Sequence, residues 1–254
     1  MSSCVNLPRW LGEHGPRLVP PVANKMLFSE SHMKVMVVGG PNARSDFHIQ
    51  AGEEFFLQLK GTLTLKVVER GHFKDVIVEA GESFLLPSYV PHSPQRSENS
   101  LGLVFERSHT NDEMDGMFWF KEVQAHGREA DFGNIDYEEY FHCTDLGTQL
   151  KPIIERYHQF KDQETPLPVE RLVYPDHDVL LKDVLPIDDI LEAEANAAHP
   201  LNLCVVLLPL KTISIGTAET RSSATPGRDP VSSKPLRHPT ISSSTKREEH
   251  RLTS

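Results

Sequence analysis

The chain has 254 residues, of which 38% are hydrophobic and 24% are charged, and its formal net charge is −10. This length and composition are typical of a soluble protein with one well-buried domain and part of a second. Because an acidic chain does not attract phosphate, and because no apolar segment is long enough to cross a bilayer, we expect neither a nucleic acid nor a membrane partner.

The cysteines indicate a reducing compartment. Cys4, Cys143 and Cys204 lie far apart, are odd in number and include no CxxC pair. This pattern argues against a disulfide framework and against a thiolate zinc site. Residues 1–15 also contain no apolar run of signal-peptide length. We therefore expect the protein in the cytosol.

Short strands are predicted throughout the segment between residues 34 and 107. Glycines at even spacing separate segments rich in Val, Leu, Phe and Ile, which is typical of an antiparallel sandwich or barrel. Leu63, Leu65 and Val67 alternate with polar residues, which predicts one buried and one wet face. The predicted strands are residues 34–40, 54–61, 62–71, 73–81, 83–87 and 102–108.

The chain changes character after residue 107. Residues 115–120 could form a further strand, whereas residues 147–160 and 187–199 carry apolar residues at helical spacing. Pro152 is tolerable only near the start of the first of these helices. Residues 217–254 are rich in Ser, Thr, Pro, Arg and Lys and cannot offset their own ordering entropy, so we expect them to be disordered.

His48, Glu54 and His92 form the strongest candidate for chemistry. Two imidazoles and one carboxylate suit a divalent metal, and on one face of an octahedron they leave three positions open, as non-haem Fe(II) oxygenases require. Glu53 is the competing carboxylate. Because neighbours in a strand point to opposite faces, only one of the two glutamates can face inward, and the spacing to Gly61 selects Glu54.

The first two of these residues lie in a segment that resembles the first cupin motif, G-x5-H-x-H-x(3,4)-E-x6-G. His48, Glu54 and Gly61 match the motif. Gln50 stands where the motif has its second histidine. This departure turns a four-ligand cupin site into a three-ligand one, so it points away from a generic cupin.

His92 lies in a segment that resembles the second cupin motif, G-x5-P-x-G-x2-H-x3-N. Gly81, Pro87 and His92 match this motif. Tyr89 replaces its second glycine, and Arg96 replaces its asparagine. These departures also favour a specific family within the cupins.

Four long segments, in the right order, resemble the animal type of the 3-hydroxyanthranilate 3,4-dioxygenase family. They are PPVANK, VGGPNARSDFHIQAGEE, FLLPSYVPHSPQR and DLGTQLKPIIERY, and the resemblance covers about residues 8–202. It implies an all-β fold, a cupin barrel (double-stranded β-helix, or jelly roll) with a few peripheral helices. It further implies a monomer that uses Fe(2+) and O2 to convert 3-hydroxyanthranilate to 2-amino-3-carboxymuconate semialdehyde, the precursor of quinolinate in tryptophan-to-NAD metabolism.

The resemblance also implies roles for individual residues. His48, Glu54 and His92 match the iron ligands, and Glu54 also belongs to the substrate site. Arg96 and Glu106 match residues that bind the substrate's carboxylate and its amine or hydroxyl. An arginine fork suits a carboxylate, and Glu106 can accept a proton from the chelating substrate.

Further positions match the rim of the same site. Arg44 matches a substrate-site and catalytic arginine near the dioxygen position, where its charge can stabilise a superoxide-like species. Asn24 and Pro94 match residues that line the pocket, although each of these types is more often a simple loop residue.

The resemblance divides the chain into domains. We expect a catalytic cupin at residues 1–162, a linker at 163–179, the remnant of a second cupin at 180–216, and the tail at 217–254. From about Leu203 the sequence departs from the family, as an alternative splice end, a read-through intron or a gene-model error would.

The sequence leaves alternatives open. The chain could be another cupin enzyme, such as a thiol or catechol dioxygenase, although Arg96 with Glu106 suits an aromatic amino acid better. It could be a cupin binding protein without turnover, although such a protein has no need of an open metal site. It could also be a catalytically impaired splice or gene-model variant of the same enzyme.

Overall fold

A computed structural model of the chain describes residues 5–18, 23–30, 32–122, 124–161, 170–195, 203–208 and 212–217. All of them belong to one unit, and residues 219–254 lie outside the described residues. The predicted disordered tail therefore lies outside them too, except for Thr217. Residues 163–169 of the predicted linker are likewise not described.

The described part of the chain contains mostly strands. The strands are β1 Asn24–Glu30, β2 Met33–Gly39, β3 Asp46–Ile49, β4 Glu54–Lys60, β5 Leu63–Glu69, β6 His72–Val78, β7 Glu82–Leu86, β8 His92–Arg96, β9 Leu101–Arg107, β10 Asp115–Phe120, β11 Ile135–Phe141, β12 Leu185–Pro186, β13 Leu203–Leu208 and β14 Thr212–Thr217. The helices are α1 Leu7–His14, α2 Leu146–Lys161 and α3 Ile187–Ala195, and a short 3-10 turn covers Gly15–Arg17.

Two six-stranded antiparallel sheets form the barrel. One has the order β1-β2-β9-β4-β7-β12 and the other the order β11-β10-β3-β8-β5-β6, and β13 and β14 pair separately as a hairpin. Strands from β3 to β10 pass repeatedly from one sheet to the other, which is the arrangement of a jelly roll. The predicted all-β cupin barrel is thus confirmed.

The main core lies between the two sheets. Leu63, Leu65 and Val67 of β5 are fully buried, as their alternation with polar residues predicted. They pack against Phe56 and Phe84 of the opposite sheet. Both sheets therefore bury one face against the other, as in other β-sandwiches.

Helix α2 covers the outer strands of the second sheet. Leu150, Ile153 and Tyr157 are buried against β10, and the rings of Trp119 and Tyr157 stack with centroids 4.4 Å apart. The helical spacing read from the sequence thus marks the packed face. Pro152 lies inside the helix rather than near its start.

The predicted strands all form, but the short strands that carry the histidines were not predicted. β3 has only four residues, DFHI, and β8 reads HSPQR, so neither has an apolar alternation long enough to recognise. Pro94 is tolerated in β8 because the strand pairs with β3 only at His92 and has parted from it beyond that point.

Residues 170–186 run along the barrel. Val173 and Leu181 are buried in its apolar clusters, and β12 extends the first sheet by pairing with β7. The backbone N–H of Leu181 donates to Glu69 at 2.6 Å. The described end of the predicted linker is therefore packed on the first domain.

Within the described residues, no helix is both long enough and apolar enough to cross a bilayer.

Candidate metal centre

Strand pairing brings His48, Glu54 and His92 together. His48 of β3 lies directly opposite His92 of β8 in one sheet, and Glu54 begins β4 in the other sheet. One ligand atom from each residue lies within 4.8 Å of the other two, and all three side chains are buried. The competing carboxylate, Glu53, is exposed. Their roles as ligands stay a prediction.

Hydrogen bonds fix which nitrogen each neutral histidine offers to the cluster. His92 Nδ1 lies 3.1 Å from the carbonyl oxygen of Val90, which can only accept, so Nδ1 carries the proton and Nε2 carries the lone pair. His48 Nε2 lies 2.8 Å from Asp115 Oδ2. By the same reasoning Nε2–H donates to Asp115, and His48 Nδ1 carries the lone pair.

These lone pairs face a carboxylate oxygen. Glu54 Oε1 is 3.0 Å from His92 Nε2 and 3.9 Å from His48 Nδ1, yet this buried oxygen accepts no hydrogen bond. Three acceptors this close in a dry site repel one another unless a proton or a metal cation lies among them. Two imidazole nitrogens and a carboxylate are suitable donors for a divalent transition metal. The cluster therefore fits a metal ion.

The electrostatics of the cluster agree with this fit. Burial works to raise the pKa of Glu54, but His92 and His48, when they are protonated, outweigh it and lower that pKa. Burial works to lower the pKa of His48, but Asp115 and Glu54 outweigh it and raise that pKa. The carboxylates thus provide the negative charge that a bound cation needs.

Glu106 lies in a row of charged residues that crosses three strands. It pairs in register with Glu54 on one side and with Lys34 on the other. Lys34 Nζ and Glu106 Oε1 are 3.5 Å apart, and both side chains are buried. Burial and the charge of Glu54 raise the pKa of Glu106 against the opposing effect of Lys34. The sequence pointed to Glu106 but missed Lys34.

Arg96 is buried beside the cluster. Its Nη1 donates to Gln58 Oε1 at 2.8 Å, whereas its buried Nε has no partner. Burial lowers the pKa of Arg96 to about 10, although Glu54 opposes this effect. The guanidinium therefore remains charged at neutral pH and keeps a donor free for an anion.

Gly102 makes room for the contact between Arg96 and Gln58. A Cβ at this position would lie 2.7 Å from Arg96 Nη1 and 2.8 Å from Gln58 Oε1. We therefore expect Gly102→Ala to lower the free energy of unfolding by about 1–3 kcal/mol, as overpacking does. Denaturant unfolding measures this loss.

The matched control is Gly12→Ala in α1, where a Cβ meets nothing within 4 Å. This change should stabilise the protein slightly, because alanine favours a helix over glycine by roughly 0.5–1 kcal/mol. Equal stability of Gly102→Ala and the wild type would contradict the tight packing around Arg96.

Arg44 is held by its neighbours on the rim of the site. Its side chain forms an ion pair with Asp46, with Nε 3.0 Å from Oδ2. The amide of Gln95 bonds the backbone of Arg44 twice, at 2.9 Å each. The arginine is thus fixed before any ligand binds.

A small cavity of about 50 Å³ lies beside the cluster. This is far below the roughly 300–1,000 Å³ of typical ligand pockets, so a larger ligand has to displace its walls. Glu106 is not among the described residues that line this cavity. The lining includes the predicted residues Asn24, Arg44, His48, Glu54, His92, Pro94 and Arg96, with Ala23, Met36, Val38, Asn42, Phe56, Val104, Leu146 and Leu150.

A larger groove of about 560 Å³ lies between β11 and α2. Its arginines are already paired, Arg156 with Glu139 and Arg171 with Glu138. No charged donor set comparable to the histidine cluster is apparent in its described lining, so the small cavity remains the better candidate.

The backbone around Tyr89 explains how the chain can depart from the second cupin motif at this position. It stands where the motif has glycine, and its φ is 58°. This left-handed conformation favours glycine. Its backbone N–H donates to Gln50 and its carbonyl accepts from Asp176, at 2.9 and 3.0 Å, so hydrogen bonds on both sides maintain the turn without a glycine.

Comparison with known proteins identifies relatives of this chain. A family model described as 3-hydroxyanthranilic acid dioxygenase matches residues 1–158. A 3-hydroxyanthranilate 3,4-dioxygenase from Mycosarcoma maydis is 48% identical over 155 residues, which cover 60% of this chain and 84% of that protein. The same-named protein of Nematostella vectensis is 45% identical over 159 residues, which cover 63% of this chain and 55% of that protein.

The chain spans about half the length of the animal relatives that it matches. The rat 3-hydroxyanthranilate 3,4-dioxygenase, for example, is 44% identical over 168 residues, which cover 66% of this chain and 56% of that protein. Among solved structures, a cupin-2 domain protein from Shewanella frigidimarina matches with a TM-score of 0.31 and 17% identity, over 38% of this chain and 91% of that one. Since the family model covers more than half of the chain, the chain belongs to the 3-hydroxyanthranilic acid dioxygenase family.

Proposed function

We propose that the chain is an Fe(II)-dependent extradiol-type dioxygenase that converts 3-hydroxyanthranilate and O2 to 2-amino-3-carboxymuconate semialdehyde. The observation that carries this proposal is the cluster of three acceptor atoms, His48 Nδ1, Glu54 Oε1 and His92 Nε2, in a dry site. Membership of the family supports the choice of substrate and reaction.

Iron suits this set of donors. When bound, Fe(II) held by two histidines and one carboxylate would supply open positions for a chelating substrate and for dioxygen, together with a path for electrons from the substrate's ring to dioxygen. The other groups of the site would bind and orient the substrate and neutralise charge.

Arg96 would bind the substrate's carboxylate. Its buried, charged guanidinium has a free Nε–H, and an arginine fork matches a carboxylate in a bidentate manner. Gln58 holds Nη1 at 2.8 Å, so the guanidinium plane is set before the substrate arrives. This contact would orient the ring with its hydroxyl and amine toward the metal ligands.

Glu106 and Arg44 would handle proton and charge. Glu106 Oε1 faces Lys34, which leaves Oε2 as the atom that accepts the proton released by the substrate's hydroxyl. Because Glu106 does not line the cavity as it stands, this role requires the pocket to widen as the substrate binds. Arg44, fixed by Asp46 and Gln95, would stabilise negative charge that develops near the dioxygen position.

The proposed product indicates the metabolic pathway to which the reaction would belong. A 2-amino-3-carboxymuconate semialdehyde can cyclise to quinolinate without an enzyme, which would place the reaction in tryptophan breakdown toward NAD. We further propose that the protein acts in the cytosol and as a monomer.

The direct test is turnover by the full chain, purified anaerobically and loaded with Fe(II). We expect 3-hydroxyanthranilate to start oxygen consumption and to give a product that contains both atoms of isotopically labelled dioxygen, as measured with an oxygen electrode and by mass spectrometry. The metal-free protein is the control. A chain that binds Fe(II) and 3-hydroxyanthranilate but consumes no oxygen would be the binding protein or the impaired variant instead.

A further inference from the structure

Asp115 is a fully buried carboxylate that takes part neither in the predicted metal set nor in the substrate contacts. It is the first residue of β10, and its side chain is 0% exposed. Its Oδ2 lies 2.8 Å from His48 Nε2, and its Oδ1 lies 2.8 Å from His109 Nε2. A charged group in such a dry place requires specific partners.

Strand pairing explains why Asp115 meets His48. Met117 of β10 lies directly opposite His48 of β3. Asp115 is two residues before Met117 and therefore projects from the same face, as a diagonal neighbour of His48. The contact follows from the register of two adjacent strands, and small loop movements do not alter it.

The contact sets the orientation of the His48 ring. An imidazole can turn about its Cβ–Cγ bond, and only one orientation presents Nδ1 to Glu54 while Nε2–H reaches a hydrogen-bond acceptor. Asp115 is that acceptor. Its other oxygen is flanked by the buried side chain of His109, which limits rotation of the carboxylate. His92 has a weaker counterpart, the neutral carbonyl of Val90 at 3.1 Å.

We propose that Asp115 is a positioning residue of the metal centre, which holds His48 with Nδ1 toward Glu54 and increases the basicity of that nitrogen. Metal-binding histidines generally donate their second N–H to such a group. The inference rests on the metal site of the proposed function but not on its substrate or its reaction.

The test measures binding of Co(II) alone to the full chain. Co(II) resists oxidation by air, and its visible absorption bands report the geometry of its ligands. Asp115→Ala should weaken Co(II) binding about 10- to 100-fold, the usual effect of removing such a partner, and should alter the Co(II) spectrum. Asp115→Asn keeps an acceptor oxygen but not the charge, so it should restore the spectrum and part of the affinity.

Glu138→Gln is the matched control. Glu138 lies on β11, the strand that pairs with β10, and this change breaks its ion pair with Arg171. It should reduce thermal stability without changing the Co(II) affinity or the Co(II) spectrum. A merely structural role of Asp115 would give the same pattern as this control.

The outcomes separate the inference from the proposed function. Wild-type affinity and an unchanged spectrum in Asp115→Ala would overturn the inference alone. Should Asp115→Ala not fold, Asp115→Asn decides, because an affinity equal to that of the wild type would show that the charge has no effect on the site. A wild-type chain that binds no Co(II) and no Fe(II) would overturn the proposed function, and this inference with it.

Discussion

His92→Ala should abolish stoichiometric binding of Fe(II) and lower metal affinity by more than about 100-fold, the upper end of the effect of losing a partner outside the ligand set. The reason is that His92 Nε2 is one of the three predicted ligand atoms, and it lies 3.0 Å from another of them, Glu54 Oε1. Metal analysis of anaerobically purified protein and titration with Fe(II) measure the loss. His48→Ala and Glu54→Ala should behave in the same way.

The control for these variants is His126→Ala. His126 is exposed, and its Nδ1 accepts a hydrogen bond from the backbone of Asp75, away from the cluster. Its loss should leave the iron content unchanged. Full iron content in His92→Ala, with the protein folded, would show that the ligand assignment is wrong.

The second large effect concerns Arg96. Arg96→Ala should weaken anaerobic binding of 3-hydroxyanthranilate by about 2–5 kcal/mol, because a buried charged pair loses one member. The same change should affect 2-aminophenol much less, since that compound lacks the carboxylate. Titration of the iron-loaded protein with both compounds gives the comparison.

Arg96→Lys provides the matched control for charge. Lysine retains the positive charge but not the planar fork, so it should recover only part of the affinity for 3-hydroxyanthranilate. Equal losses for the two compounds in Arg96→Ala would mean that Arg96 does not recognise the carboxylate.

Much of the barrel was readable in the sequence because evenly spaced glycines separate segments rich in Val, Leu, Phe and Ile, and one of these segments also has a period-two pattern. That segment forms β5, with Leu63, Leu65 and Val67 all buried. Alternation also required that only one of Glu53 and Glu54 face inward, and the spacing to Gly61 selected Glu54, which is buried whereas Glu53 is exposed. The spacing of the cupin motifs then pointed to His48 and His92, even though the short strands that carry them have no apolar pattern of their own.

The partners of these residues could not be read in the same way. Asp115 is 67 residues from His48 in the chain, and Lys34 meets Glu106 only because β2 pairs with β9. Such contacts depend on register between distant strands, and local periodicity does not contain that information. One signal was available: Asp115 is a lone charge at the start of the apolar strand DGMFWF, and a charge in such a place needs a partner.

The cluster draws its donors from both sheets, His48 and His92 from one and Glu54 from the other. A metal held there joins the two layers of the sandwich as a cross-link does. Because the unfolded chain has no such site, bound metal stabilises the folded state, by about 2.7 kcal/mol when the free ion is at 100 times its dissociation constant. If the proposed metal binds there, its supply in a cell would also affect the abundance of the protein, since a chain that opens more often is degraded sooner.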